Sequence, residues 1–227
     1  MGTNRGARLL DLLLPRRCAA CGFGEEIVCA ACLARLTRLR EPLCGRCGAP
    51  VAWPVERCLE CAGRRLAFAS ARSAVAYEEP ARTLVAAWKE RGLHALAGRL
   101  ADLVLEVVPR PSASAVVFVP GDPERSLWRG QNTAEALARA LGARWGLDVI
   151  PVLARTRRTP RQRGLSRQAR RQNVRGSFRP IGPAPARVAL VDDVYTTGAT
   201  ASAAAGALQV SGSRAVHVVT FARAVRR

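Results

Sequence analysis

The sequence predicts an α/β fold: a parallel sheet flanked by helices, with a small cysteine-rich module at its N-terminus. Three observations carry that prediction. All eight cysteines fall within the first 61 of 227 residues, and each belongs to a Cys-x-x-Cys pair. Beyond residue 66, short apolar runs alternate with amphipathic stretches of helical period, the pattern of strands joined by crossover helices. Finally, one apolar run, Val188 to Val191, leads into two adjacent carboxylates and then a loop of threonines and glycine. The expected division is a module over 1–66 and an α/β domain over 67–227.

The segment from Arg8 to Pro15 reads as a short amphipathic helix. It is not read as a secretory leader. Asp11 breaks the apolar run, Arg16 and Arg17 follow it, and no small-residue cleavage site appears. A cytoplasmic protein is therefore expected, with reduced thiols, where clustered cysteines serve metals more often than disulfides.

The pairs are Cys18/Cys21, Cys29/Cys32, Cys44/Cys47 and Cys58/Cys61. Two intervening residues let both thiolates face one tetrahedral ion, as in structural zinc sites. Glycines at 22 and 48, each just after a second cysteine, let the chain turn back sharply. Eight ligands make two closed four-cysteine zinc sites that fold the module and leave no open position for chemistry. Consecutive pairing (18/21 with 29/32, 44/47 with 58/61) is favoured, and spacing leaves the crossed arrangement open. A redox role fits poorly, since four pairs in a row lack a thioredoxin-like context. Iron–sulfur spacing is absent.

After the module, residues 72–77 read as a strand, and 80–91 and 93–108 as helices parted by Gly92. Residues 115–120 form a buried strand ending at Pro120, 131–145 an Ala/Leu-rich helix, and 149–153 a short strand. Residues 155–180 are polar and basic with weak periodicity. Strand 187–193, helix 199–210 and strand 215–221 complete the chain. No apolar run approaches the roughly 20 residues needed to cross a bilayer, so no membrane insertion is expected.

The sharpest motif is Val188 to Thr200. A buried strand delivers Asp192 and Asp193 to its carboxyl end, where open α/β sheets bind ligands. Thr196, Thr197, Gly198, Ala199 and Thr200 then open a helix whose free backbone N–H groups suit a phosphate. The carboxylates can accept hydrogen bonds from vicinal ribose hydroxyls. The run is not a Walker A loop, because GxxxxGK[ST] is missing.

Charge points the same way. The chain has 36 Lys+Arg against 17 Asp+Glu, a net charge of +19. Such a surplus calls for a polyanionic partner. Eleven arginines and no acid lie within 155–187, among them Arg161, Arg163, Arg167, Arg170 and Arg171. Guanidinium forks match phosphate oxygens, and aromatics are sparse there, so single strands would be held by phosphate contacts more than by stacking. Lys89 is the only lysine, which is read as a codon effect with no mechanistic weight.

The Asp192–Thr200 run resembles the phosphoribosyl-pyrophosphate (PRPP) motif of type I phosphoribosyltransferases. With the cysteine pairs, Tyr77, Trp88-Lys89, Arg129-Gly130-Gln131-Asn132, Arg155-Thr156 and Phe178, the chain is similar over nearly its whole length to the ComF/GntX-like competence family. That resemblance implies a type I phosphoribosyltransferase-like fold behind a double zinc ribbon. It implies PRPP bound with Mg²⁺ by Asp192, Asp193, Val194, Thr196 to Thr200 and Arg129, with Asp192 and Asp193 as the catalytic carboxylates. It also implies single-stranded DNA as a partner in DNA uptake and natural transformation, together with other uptake proteins such as a helicase. Two alternatives stand beside this reading: a metabolic phosphoribosyltransferase that salvages a base, and a non-catalytic nucleic-acid-binding scaffold with a vestigial PRPP site.

Overall fold

The computed structural model describes residues 17–122, 132–156 and 176–225. The proposed N-terminal helix, Arg129, and Arg161, Arg163, Arg167, Arg170 and Arg171 lie outside them. In chain order the elements are α1 (Ala30–Ala34), β1 (Ser70–Ala76), α2 (Ala81–Glu90), α3 (Leu96–Val107), β2 (Ala115–Phe118), α4 (Thr133–Trp145), β3 (Leu153–Arg155), β4 (Phe178–Pro180), β5 (Arg187–Tyr195), α5 (Ala199–Val210) and β6 (Ala215–Arg223).

The main sheet runs β1-β6-β5-β2, with every neighbouring pair parallel. A parallel bridge from Val116 to Val149 adds a short outer segment beside β2. The expected strand over 149–153 is divided. Pro151 has no N–H to continue the ladder, so the chain leaves the sheet and forms β3, which pairs antiparallel with β4. β4 lies in the stretch of weak periodicity. Its three residues are too few to show a period.

Burial explains the layering. Alternate residues of β5 separate to the two faces, as the two-residue period of a strand requires. Ala189 and Val191 join a core with Trp88, Leu100, Val104, Leu137 and Phe221, built from α2, α3 and α4. Val188 and Leu190 join the other core with Phe178, Ala204 and Leu208, built from α5 and the β3–β4 hairpin. Asn132 caps α4 by accepting from the Ala134 N–H, and Gly146 ends it in the left-handed conformation.

The cysteine module shares both cores. Cys18 and Cys32 pack with Leu84, Val85 and Trp88 on one face. Cys44, Cys47 and Cys61 pack with Phe68, Leu190 and Tyr195 on the other. The two cysteine groups therefore flank the sheet on opposite sides. Among the described residues, no helix is long and apolar enough to cross a membrane.

Candidate functional site

The eight sulfurs assemble as two groups, Cys18/Cys21/Cys29/Cys32 and Cys44/Cys47/Cys58/Cys61, with the sulfurs of each group within 4.8 Å of one another. Consecutive pairing is thus the observed one. Neighbouring sulfurs lie 3.7 Å apart (Cys21–Cys29), 3.6 Å (Cys44–Cys61) and 3.5 Å (Cys47–Cys58). A tetrahedron with Zn–S bonds of about 2.3 Å has edges of about 3.8 Å, so the donor set fits zinc. Gly22 and Gly48 adopt φ of 79° and 69°, the sharp knuckle turns expected of them. The Cys29 and Cys58 N–H groups point at the Cys18 and Cys44 sulfurs, at 3.4 and 3.3 Å. Burial opposes ionisation of Cys18 and Cys44, yet backbone N–H groups, from Cys21 and Cys29 and from Cys47 and Cys58, outweigh it and bring both to about 6. Burial instead pushes Cys32 up to about 12.

The second site forms where the sheet reverses its order. From β2 the chain passes outward to the Val149 segment, whereas β5 leads the opposite way to β6. The crevice between their carboxyl ends is the expected ligand position. β5 extends through Tyr195, two residues past the expected end, so strand alternation still holds across the acidic pair. Asp192 and Asp193 consequently face opposite sides of the sheet.

Asp193 faces α2 and α4 and is buried. Its Oδ1 accepts from Lys89 Nζ at 2.8 Å and its Oδ2 from Thr133 Oγ1 at 2.6 Å. Burial disfavours the Lys89 charge, but the Asp193 carboxylate outweighs it and holds the ammonium above its ordinary range. Asp192 faces α5 and is half-buried. Its Oδ1 accepts from the Asp193 N–H at 2.9 Å. Desolvation, then the neighbouring Asp193 charge, raises Asp192 to about 7. It lines a narrow cleft with Val194, Tyr195, Thr196, Gly198 and Thr200.

The loop is built as the motif predicts. Gly198 sits at φ 71° immediately before α5. A Cβ there would collide with the Tyr195 hydroxyl, so only glycine suits both the conformation and the space. Thr197 Oγ1 accepts from the Ala199 N–H at 3.3 Å. Tyr195 is buried, and its hydroxyl has no partner among the described residues. Burial pushes that phenol up to about 12. Arg223, 1% exposed, stacks over the Tyr195 ring at 4.8 Å, pairs with Glu60 at 3.0 Å and donates to the Cys47 carbonyl. Arg64 donates to the Thr197 carbonyl at 2.6 Å. The second cysteine group is thus tied directly to the loop.

Lys89, Thr133 and Tyr195 are the site residues that sequence reasoning did not assign. Lys89 left a signal, as the single lysine among 36 basic residues and as part of the Trp88-Lys89 mark, and Thr133 stands next to the Arg129–Asn132 run.

Known proteins resemble this chain over most of its length. Residues 9–62 match the double zinc ribbon domain family. The DNA utilization protein YhgH of Salmonella typhimurium is 31% identical over 228 positions, covering 93% of this chain and 99% of that protein. The chain belongs to the ComF/GntX-like competence family. Another of its relatives, Competence protein F of Haemophilus influenzae, is 29% identical over 92% of this chain and 97% of its own length. YhgH of Escherichia coli K12 is 29% identical over 93% of the chain. Among solved structures, the glutamine PRPP amidotransferase from B. subtilis, complexed with ADP and GMP, is 21% identical and covers 56% of this chain but only 26% of that one. Its TM-score is 0.40, too low to bear on the ComF/GntX-like assignment.

Proposed function

We propose that this chain is a PRPP-binding, phosphoribosyltransferase-like protein that handles single-stranded DNA during DNA uptake. One observation carries the PRPP reading. A half-buried carboxylate, Asp192, stands at the carboxyl end of β5 beside a glycine-kinked loop whose backbone N–H groups open α5. The ribose hydroxyls would hydrogen-bond to Asp192. The 5′-phosphate would sit on the loop of Thr196, Thr197, Gly198, Ala199 and Thr200, with Val194 bordering the cleft, where helix-terminal N–H groups favour an anion.

The two aspartates then have different jobs. Both oxygens of Asp193 are engaged, so it positions β5 against α2 and α4. Asp192 is the carboxylate that would touch sugar and stabilise positive charge on the ring as pyrophosphate leaves C1. Asp192 also fits Mg²⁺, which takes one or two carboxylates plus substrate phosphates; bound there with PRPP, it would neutralise the leaving group. Arg129 would join the ligand from the segment before α4.

The module over 1–66 holds a zinc ion in each cysteine group and braces the domain over 67–227. Arg161, Arg163, Arg167, Arg170 and Arg171 supply phosphate contacts to a single strand, consistent with relatives named for DNA utilization and competence. Calorimetric titration of Mg²⁺–PRPP into zinc-loaded protein tests the PRPP site. Loss of binding in Asp192→Asn supports the reading, and tight binding retained by that variant refutes it. Pyrophosphate release with a panel of bases tests turnover.

A further inference from the structure

A groove of about 810 Å³ lies on the α5 face, apart from the acidic strand end. Its walls are Gly63 to Leu66, from the end of the cysteine module, and the β4 strand with Phe178 and Arg179. Its floor is the outer surface of α5, where Ser202 and Ala203 present small side chains and Gly206 presents bare backbone. Among the described residues, no acidic side chain lines it. Arg64, Arg65 and Arg179 all face it. Arg65 and Arg179 are exposed, and among the described residues neither has an ion pair or side-chain hydrogen bond. Elsewhere arginines are often matched: Arg38 with Glu106, Arg139 with Glu135, Arg144 with Asp102.

We infer that this groove is a binding channel for single-stranded nucleic acid, running between the second cysteine group and the β3–β4 hairpin. The inference rests on the single-strand reading above, but gives the strand a track of its own, lined by described residues. Unpaired guanidinium groups in a groove lined by no carboxylate are complementary to a phosphodiester chain. A floor of small residues lets the flat face of a sugar or base approach the helix closely. The volume, about 810 Å³, lies within the roughly 300–1,000 Å³ of ligand-binding clefts. It begins at Ala199, on the first turn of α5. Arg64 is shared, lining the groove while its Nη2 holds the Thr197 carbonyl of the proposed phosphate loop. Strand and PRPP would therefore sit next to each other.

The test is fluorescence anisotropy of labelled oligo(dT) with full-length, zinc-loaded protein across a salt series. Three variants are compared: Arg65→Glu with Arg179→Glu, Ala203→Glu, and Arg167→Glu with Arg170→Glu and Arg171→Glu. Arg64 is left intact because of its loop contact. Zinc content and Mg²⁺–PRPP titration serve as folding controls. Reversing Arg65 and Arg179 should weaken oligo(dT) roughly ten-fold or more. It should also flatten the log–log salt slope by about 1.4, at about 0.7 for each phosphate no longer neutralised. Ala203→Glu, which removes no arginine, should weaken binding as well. Wild-type affinity in both groove variants overturns the channel, and loss in the 167/170/171 variant alone leaves the single-strand reading standing without it. No oligo(dT) binding by the wild type overturns both. A duplex that binds as tightly as oligo(dT) overturns the single-strand occupant.

Discussion

Replacing Asp192 by Asn should stabilise the ligand-free protein, and more so at alkaline pH. The unfolded chain ionises Asp192 near 3.8, whereas the folded chain holds its proton to about 7. A folded-state value raised above the unfolded one gives stability that is complete below pH 3.8 and is lost as pH rises toward 7. The separation of about three pH units corresponds to about 4 kcal/mol, at about 1.4 kcal/mol per tenfold change. At pH 5 rather more than a third of that is already gone, leaving a ceiling of about 2.6 kcal/mol between pH 5 and pH 8. Water reaches the half-buried carboxylate, which reduces the expected difference to about 1–2 kcal/mol. For a chain of this size that is roughly 3–6 °C in Tm. Asn keeps an acceptor for the Asp193 N–H, so the local backbone bond survives. Thermal unfolding of wild type and Asp192→Asn at pH 5 and pH 8 gives the difference directly, because pH effects on the zinc thiolates are common to both. An equal change at both pH values would mean that Asp192 ionises normally, and the desolvated-carboxylate account of the site would fail.

Other consequences are open to measurement. Metal analysis should give two zinc ions per chain, and fewer than two removes the two-site reading; because Cys18 and Cys44 belong to opposite cores, chelation should unfold the sheet together with the module, seen as a fall in far-UV signal. Gly198→Ala should cost more than about 1 kcal/mol, since it strains a left-handed φ and meets the Tyr195 hydroxyl, and should also abolish PRPP binding. Tyr195→Phe removes a buried hydroxyl that has no partner among the described residues and should be neutral or stabilising by about 1 kcal/mol in chemical denaturation.

Most of the fold was legible because period and punctuation are local signals. The crossover helices and parallel strands appeared nearly where alternation placed them, and Cys-x-x-Cys spacing marked the module. What escaped depended on contacts distant in sequence. Spacing left two cysteine pairings open, and only packing on the two faces of the sheet selects one. The pair Asp192-Asp193 reads as two equivalent carboxylates. Because β5 continues through Tyr195, the strand period sends one to Lys89 and Thr133 and leaves the other facing the loop. Thr133 lies 60 residues away in the chain, and although it directly follows the Arg129–Asn132 motif, nothing local shows that it reaches Asp193. The link from Glu60 through Arg223 to Tyr195 spans 163 residues, so no window along the chain could reveal it.

The single lysine shows how a compositional fact gains meaning from its place. In a chain whose other 35 basic residues are arginine, chance would seldom put lysine at the position that, among the described residues, pairs with the buried carboxylate Asp193. Chemistry supplies a reason. An ammonium is a compact charge with three rotatable donors, whereas a guanidinium brings five in a rigid plane. In the recess between α2 and β5, Asp193 offers Lys89 one oxygen, because the other is taken by Thr133. A guanidinium there would leave more donors unmet in a part-buried recess, against a cost of about 1–3 kcal/mol for each one fully buried. Lys89→Arg should therefore lower stability by at least about 1 kcal/mol although charge is conserved. Lys89→Met should cost about 2–3 kcal/mol by leaving Asp193 uncompensated, and combining it with Asp193→Asn should restore much of that stability. If Lys89→Arg unfolds at the same denaturant concentration as the wild type, charge alone matters at this position, and its lysine is an accident of codon use after all.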